Sequence, residues 1–211
     1  MQTNEPRATT PLAVPGALPP HRLTRADLMT LETYARERAA FRERVLAHKR
    51  LRNLSVGPHA TWCFEDRLTV QYQIQEMLRA ERIFEAEGIQ EELDSYNPLI
   101  PDGSNWKATL LIEYPDVEDR RVALGKLKGI ERRCWVGVGG ERTFAIADED
   151  LERENEEKTS AVHFLRFELS PRACAAAKAG AAIEIGIDHP EYRYSVTVGA
   201  ESARSLVGDL A

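Results

Sequence analysis

The chain has 211 residues, of which 43% are hydrophobic and 29% are charged, with a formal net charge of −6. These values are ordinary for a globular protein that folds in water. No stretch approaches the roughly 18 consecutive apolar residues that a membrane-spanning helix needs. The negative net charge argues against general affinity for nucleic acid, so we expect neither a nucleic-acid partner nor a membrane.

The N-terminal segment differs in composition from the rest of the chain. Five of the eleven prolines fall in the first 21 residues, which lack the basic start and uninterrupted apolar run of a signal peptide. We therefore predict a disordered tail over residues 1–22 and one domain over residues 23–211. Three widely spaced cysteines, Cys63, Cys134 and Cys174, suggest neither a disulfide framework nor a zinc site, which favours the cytoplasm and buried thiols.

Charge is distributed unevenly along the chain. Residues 22–53 carry nine Lys or Arg against four Asp or Glu, whereas residues 65–119 carry four against fourteen. The two segments could dock on each other or present separate surfaces to partner proteins.

The first half of the chain shows mainly helical patterns. Thr24 and Asp27 approximate a capping box, and apolar residues follow at helical spacing up to Val45. Residues 60–64 form a predicted strand, residues 65–87 a long central helix closed by Gly88, and residues 89–99 a shorter helix.

In the second half the apolar period changes to two. Gly139 and Gly140 join two alternating runs, which predicts a tight hairpin rather than a phosphate-binding loop. The other predicted elements are a strand over 106–114, a helix over 117–128, a strand over 161–169, a helix over 171–179, a hairpin over 183–187 and 192–198, and a helix over 200–210. The segregation of helices and strands predicts an α+β fold, in which the central helix packs on a mainly antiparallel sheet of about five or six strands.

The predicted central helix carries apolar residues on every side, which is typical of a helix that is covered on several faces. Its enclosed polar groups then need partners. Gln71, Gln75 and Arg82 lie along one side, flanked by Arg67 and Arg79, with donors and acceptors suited to a carboxylate, a phosphate or a planar ligand. Two interpretations remain open: a ligand pocket, or an internal network in which Arg82 pairs with an acidic residue, namely Glu85, Glu113 or Glu168.

A second set of polar residues lies on the predicted strand 161–169. Alternation places His163 on the face of Leu165 and Phe167, and Arg166 with Glu168 on the other face. His163 is either a satisfied core residue or part of a site that includes His59. The candidate ligand-binding residues are therefore His59, Arg67, Gln71, Gln75, Arg82, His163, Arg166 and Glu168. The acidic run at residues 148–154 lacks the glycine of a calcium loop, and we expect neither a cofactor nor a metal ion.

Three segments resemble one bacterial family, domain of unknown function 3501. They are TVQYQIQEMLRAERIF at 69–84, IQEELDSYNPLIPDGSNWKATLLIEYPD at 89–116 and DLERENEEKTSAVHFLRFEL at 150–169. The resemblance extends from about Leu23 to Val198. Genes of this family often neighbour those of rubrerythrin and of an iron–sulfur protein related to heterodisulfide reductase subunits. The resemblance thus implies an accessory place in a peroxide, thiol or electron-transfer system, without assigned catalytic residues.

Two functional hypotheses follow from the sequence. The first is a cytoplasmic accessory protein without a cofactor, which docks on rubrerythrin or the iron–sulfur protein through the charged segments. The alternative is a small-molecule-binding protein or enzyme with a polar pocket on the central helix. A metal site built from His59, His163 and carboxylates is a weaker third possibility.

Overall fold

A computed structural model describes residues 22–147 and 158–211 of the chain. The predicted tail, apart from Arg22, and the acidic run at 148–154 lie outside the described residues. Six α-helices are present in the described part: α1 Leu31–Lys49, α2 Arg67–Ala80, α3 Ala86–Tyr96, α4 Val117–Lys126, α5 Pro171–Lys178 and α6 Ala200–Val207. Its strands are β1 Asn53–Ser55, β2 Ala60–Phe64, β3 Asn105–Ile112, β4 Cys134–Val138, β5 Glu141–Phe144, β6 Ile146–Ala147, β7 Val162–Glu168, β8 Ile183–His189 and β9 Tyr192–Thr197.

The strands form two antiparallel sheets, which confirms the α+β class and divides the predicted single sheet in two. One sheet has the order β1-β2-β3-β7-β6 and the other the order β5-β4-β8-β9. The turn between β4 and β5 is made by Gly139 and Gly140, whose φ angles are 59° and 82°. Two positive φ angles suit a hairpin turn, so the predicted Gly-Gly hairpin is confirmed, as is the hairpin of β8 and β9.

Buried side chains from both sheets share one hydrophobic core. Trp62, Trp106 and Phe167 from the five-stranded sheet belong to the same cluster as Val136 and Ile185 from the four-stranded sheet. The indole of Trp62 stacks on the ring of Phe167 with 5.2 Å between ring centroids. The alternation of buried and half-buried residues along β3 and β7 follows the period of two that the sequence predicts.

The central helix is shorter than predicted and packs against helices rather than against a sheet. α2 ends at Ala80, and its apolar residues Val70, Ile74 and Leu78 join a separate cluster with Leu23 and Leu93. The run 65–87 therefore contains the helix, a turn and the start of α3. This explains why its apolar residues do not fall on one side when they are placed on a single helix.

The turn after α2 is held by a helix-terminating hydrogen bond. The N–H of Ile83 donates to the carbonyl of Leu78 over 2.9 Å, and both side chains belong to the same cluster. Arg82 lies between them in the left-handed region with φ 55°. This is the Schellman arrangement, in which glycine is the usual residue at the left-handed position. Gly88, predicted to close α2, instead lies in the first turns of α3.

The predicted capping box is present but opens a different element. Thr24 and Asp27 cap a short 3₁₀ turn over Arg25–Asp27, and α1 begins later, where Thr30 accepts a hydrogen bond from the N–H of Thr33. Residues 23–30 thus form an irregular connection before α1. Within the described ranges, none of the helices is long and apolar enough to cross a membrane.

Arg82→Gly is expected to raise the free energy of unfolding by about 0.5–1 kcal/mol, because a residue with a Cβ is disfavoured in the left-handed region. Ala80→Gly, two residues earlier at the last position of α2, is the matched control and is expected to lower the free energy of unfolding, by less than the roughly 1 kcal/mol of an interior helical position. Urea unfolding of both variants measures the difference. Destabilisation of similar size in both variants would contradict the assigned turn.

Candidate functional site

The polar residues of α2 hold the connection before α1, which we call the N-terminal strap (residues 23–30). The fully buried Gln75 accepts a hydrogen bond from the N–H of Met29 over 2.6 Å, and its amide nitrogen donates to the carbonyl of Met29 over 3.4 Å. Asn97 likewise accepts a hydrogen bond from the N–H of Leu23 over 2.7 Å, and its amide nitrogen donates to the carbonyl of Leu23 over 2.9 Å. Each side-chain amide therefore satisfies both backbone groups of one strap residue.

Two more residues of the α2 stripe bind the strap at Asp27. The amide nitrogen of Gln71 donates to the carbonyl of Asp27 over 2.6 Å, and the guanidinium of Arg67 donates to its carboxylate over 2.5 Å. Burial alone raises the pKa of Asp27, but hydrogen bonds from Thr24 and Arg67 outweigh it, so the pKa lies below its ordinary value. Residues 67, 71 and 75 are four apart, hence on one side of the helix, and this side faces the strap.

Arg82, the last residue of the predicted stripe, lies elsewhere. Arg82 is exposed in the turn after α2 and is not part of the helix. Of its predicted partners, Glu113 accepts a hydrogen bond from Thr61 over 2.6 Å, and Glu168 pairs with Arg166. The internal network is therefore built on the strap backbone rather than on ion pairs of Arg82.

His59 lies at the turn between β1 and β2. Its Nδ1 is 3.1 Å from the carbonyl oxygen of Glu113, and its ring stacks on Tyr114 with 3.9 Å between centroids. Its backbone N–H donates to the hydroxyl of Tyr192 over 2.9 Å. These contacts join the β2–β3 edge to β9, in a place distinct from the strap contacts of α2.

His163 faces the core, as the strand alternation predicts. Its side chain is buried, and Nε2 lies 3.0 Å from both the Thr159 hydroxyl and the Ser160 carbonyl oxygen. On the opposite face of β7, Arg166 and Glu168 form an ion pair, and Glu168 also accepts a hydrogen bond from Asn105 over 2.9 Å. The eight predicted residues thus divide among the strap-facing side of α2, the turn after α2, the β1–β2 turn, the core and the outer face of β7.

The structure contains a buried charge cluster between α1, α2 and the C-terminus, which was not predicted from the sequence. Arg52 is 1% exposed and donates to the carboxylate of Asp209 over 2.5 Å and to the carbonyls of Phe64 and Glu65. Asp66, which caps α2, pairs with Arg52 and His48. Burial raises the pKa of Asp209 to about 6, despite the opposing effect of Arg52. These partners lie up to 157 residues apart, and no local pattern marks them.

A second charge network joins α1 to α2. Glu76 accepts hydrogen bonds from Arg38 over 2.7 and 2.8 Å and from the hydroxyl of Tyr34 over 2.7 Å. The hydrogen bond from Arg38 is the main reason that the pKa of Glu76 falls to about 2. Tyr34 itself is fully buried.

The three thiols are not activated. Burial, aided by the nearby Glu65, raises the pKa of Cys63 to about 11, and burial also raises the pKa of Cys134 and of Cys174. A reactive cysteine requires the thiolate, so these groups are protonated and weakly nucleophilic at neutral pH. Among residues 22–147 and 158–211, no group of three His, Cys, Asp or Glu side chains is arranged to hold a metal ion.

The chain matches a family model described as "Protein of unknown function (DUF3501)" over residues 22–210. The chain belongs to this family. A solved structure similar to this DUF3501 member is a novel protein of unknown function from Burkholderia pseudomallei, with a TM-score of 0.85 and 54% sequence identity. The match covers 90% of this chain and 99% of the other. No curated protein matches the chain.

Gln75→Ala is expected to lower the free energy of unfolding by about 1–3 kcal/mol, because both backbone groups of Met29 lose their partner. Gln73→Ala is the matched control, since Gln73 is exposed on the same helix, and we expect a change within about 0.5 kcal/mol. Chemical denaturation of the two variants provides the comparison. Equal effects would show that the strap contact contributes nothing to stability.

The low pKa of Glu76 predicts a pH-dependent contribution to stability. A carboxylate whose pKa is lower in the folded state stabilises the fold above its unfolded pKa, and this contribution is lost as pH falls. The stability advantage of the wild type over Glu76→Gln should therefore shrink as pH falls from about 4.5 to about 2.

For Asp209, whose pKa is raised to about 6, the dependence of stability on pH runs in the opposite direction. The stability of the wild type relative to Asp209→Asn should decrease as pH rises from about 4 to about 6. Thermal unfolding over this pH series measures both trends. Parallel curves for the wild type and both variants would contradict the assigned contacts.

Proposed function

We propose that this DUF3501 protein is an accessory protein that docks on a redox partner through charged surfaces. The observation that carries the proposal is the separation of exposed charge between two regions. α1 and its C-cap expose four arginines, Arg36, Arg42, Arg44 and Arg50, against three glutamates, Glu32, Glu37 and Glu43. The excess of positive charge lies in the C-terminal half of the helix, whereas the segment from Glu81 to Asp94 exposes mainly carboxylates. Opposite charges on distinct surfaces steer association and fix the orientation of partners.

The outer face of α1 has the composition of a docking surface. Arg42, Leu46 and the C-cap residue Arg50 are four residues apart and lie on one side of the helix, about a third of a turn from the buried Phe41 and Val45. Leu46 is 40% exposed between the two arginines. A solvent-facing leucine flanked by arginines combines apolar contact with charge, and arginine is enriched in protein interfaces.

The state of the polar and sulfur groups supports a docking role over chemistry by the chain itself. Gln71 and Gln75, the main donors of the alternative ligand pocket, are engaged by the strap. The thiols have raised pKa values, which opposes thiolate chemistry. A redox function would then place the reactive centre in the partner.

The partners we propose are rubrerythrin or the iron–sulfur protein related to heterodisulfide reductase subunits, because genes of the resembled family often lie beside theirs. The cytoplasm is the corresponding location. The support for these partners is this gene neighbourhood together with the charged surfaces, which suit reversible contact with an acidic or basic protein.

The test is to titrate the purified protein with rubrerythrin and with the iron–sulfur protein from the same host, and to measure binding by biolayer interferometry. We expect binding that weakens about tenfold or more when salt rises from about 50 to about 300 mM, because salt screens exposed charges. The double variant Arg42→Glu with Arg50→Glu should weaken binding about tenfold, since it reverses the charge of the α1 face.

The control is the double variant Arg172→Glu with Arg204→Glu, which makes the same change of charge on exposed positions of α5 and α6. It should alter the dissociation constant by less than about twofold. Absence of binding to both proteins, or equal effects of the two double variants, would contradict the proposed function.

A further inference from the structure

An apolar groove opens between the N-terminal strap and the turn after α2. We call it the Phe84 groove; its volume is about 420 Å³, and its apolar surface comes from Leu28, Leu31, Leu78, Ile83, Phe84 and Ile89. Phe84 is 67% exposed, the highest value among the large hydrophobic residues that are exposed in the described ranges. Large exposed apolar surface of this kind marks interaction sites.

The exposure of Phe84 follows from the turn that carries it. The left-handed Arg82 and the hydrogen bond from Ile83 to Leu78 turn the side chain of Ile83 into the cluster around α2. Glu85 then begins α3 in an extended conformation. Phe84 is fixed between these two anchors and stays on the outside, so binding there needs little reordering of the backbone.

The segment that supplies Ile83, Phe84 and Ile89 to the groove is strongly acidic. Six carboxylates and one arginine lie between residues 81 and 94: Glu81, Arg82, Glu85, Glu87, Glu91, Glu92 and Asp94. Burial raises the pKa of Glu92, and the charges of Glu81 and Glu91 raise it further. The carboxylates therefore repel one another, and a cationic group placed among them relieves this repulsion.

The polar groups at the rim of the groove do not converge on its interior as they would in a small-molecule site. Arg25 and Glu32 are exposed and opposite in charge, and the hydroxyl of Thr30 is engaged as the cap of α1. Small-molecule pockets instead use a few polar groups aimed at the ligand. An open apolar groove with a charged rim is typical of the recognition of an amphipathic helix.

We propose that the Phe84 groove binds a basic amphipathic helix of a partner protein, with apolar side chains against Phe84 and lysine or arginine side chains against the acidic residues 81–94. This inference rests on the proposed docking function and assigns one of its two charged surfaces to a class of partner segment. Apolar contact supplies affinity, and the negative charge of residues 81–94 selects basic over acidic segments.

The probe is a fluorescein-labelled helical peptide of about 14 residues with leucine on one face and lysine on the other. Fluorescence anisotropy should show binding to the wild type that weakens about tenfold or more in Phe84→Ser. Val117→Ser is the matched control, because Val117 is 62% exposed beside Glu118 and Asp119. It should change the dissociation constant by less than about twofold.

Two further peptides test the chemistry of the partner. A peptide with glutamate in place of lysine, and one with the lysines and leucines in a non-amphipathic order, should each bind about tenfold more weakly than the first. Equal binding of the three peptides, or equal effects of Phe84→Ser and Val117→Ser, would overturn the proposal. So would a wild type that dimerises when Phe84→Ser does not, since a second copy would then occupy the groove.

The titrations with rubrerythrin and the iron–sulfur protein separate this inference from the proposed function. If the wild type binds one of them and Phe84→Ser binds it equally well, the groove assignment fails while the docking function stands. If neither protein binds but the peptide titrations give the expected differences, the proposal of a redox partner is wrong, whereas the groove assignment stands.

Discussion

The arrangement of the helical half depends on how the N-terminal strap satisfies its backbone hydrogen bonds. Apart from the 3₁₀ turn at Arg25–Asp27, the strap has no regular secondary structure, so its buried backbone groups need partners from elsewhere in the chain. Gln75 and Asn97 each satisfy both groups of one strap residue, Met29 and Leu23. These four hydrogen bonds fix the strap against α2 and α3, and the strap in turn determines where α1 begins.

The strap and the turn after α2 together create the groove that we propose as a binding site. Leu28 and Leu31 form one side of the Phe84 groove, and Ile83 with Phe84 forms the other. Movement of the strap would change the shape of this groove and the position of α1 with its exposed arginines. The polar network inside the helical half and the exposed surfaces that we propose for docking are thus two consequences of the same packing.

Local sequence patterns predicted the elements that local forces determine. The period of two in β3 and β7, the Gly139-Gly140 hairpin and the burial of His163 all follow from side-chain alternation or turn geometry. The predicted end of α2 was wrong because Arg82 adopts the left-handed conformation, which in most helix ends is occupied by a glycine that can be recognised in the sequence. The division into two sheets and the Arg52–Asp209 pair depend on contacts between distant residues, which periodicity does not encode.

The candidate site shows the same division between local and distant determinants. The sequence predicts correctly that polar groups on α2 require partners, but their partners are backbone atoms of the strap, which carry no sequence signal.

Native-state hydrogen exchange of the amides in the strap tests most directly whether side-chain amides hold the strap. The N–H groups of Leu23 and Met29 should be protected as strongly as those inside α2, whereas those of the exposed Arg25 and Ala26 exchange rapidly. Rapid exchange at Leu23 and Met29 would contradict a strap held by side-chain amides.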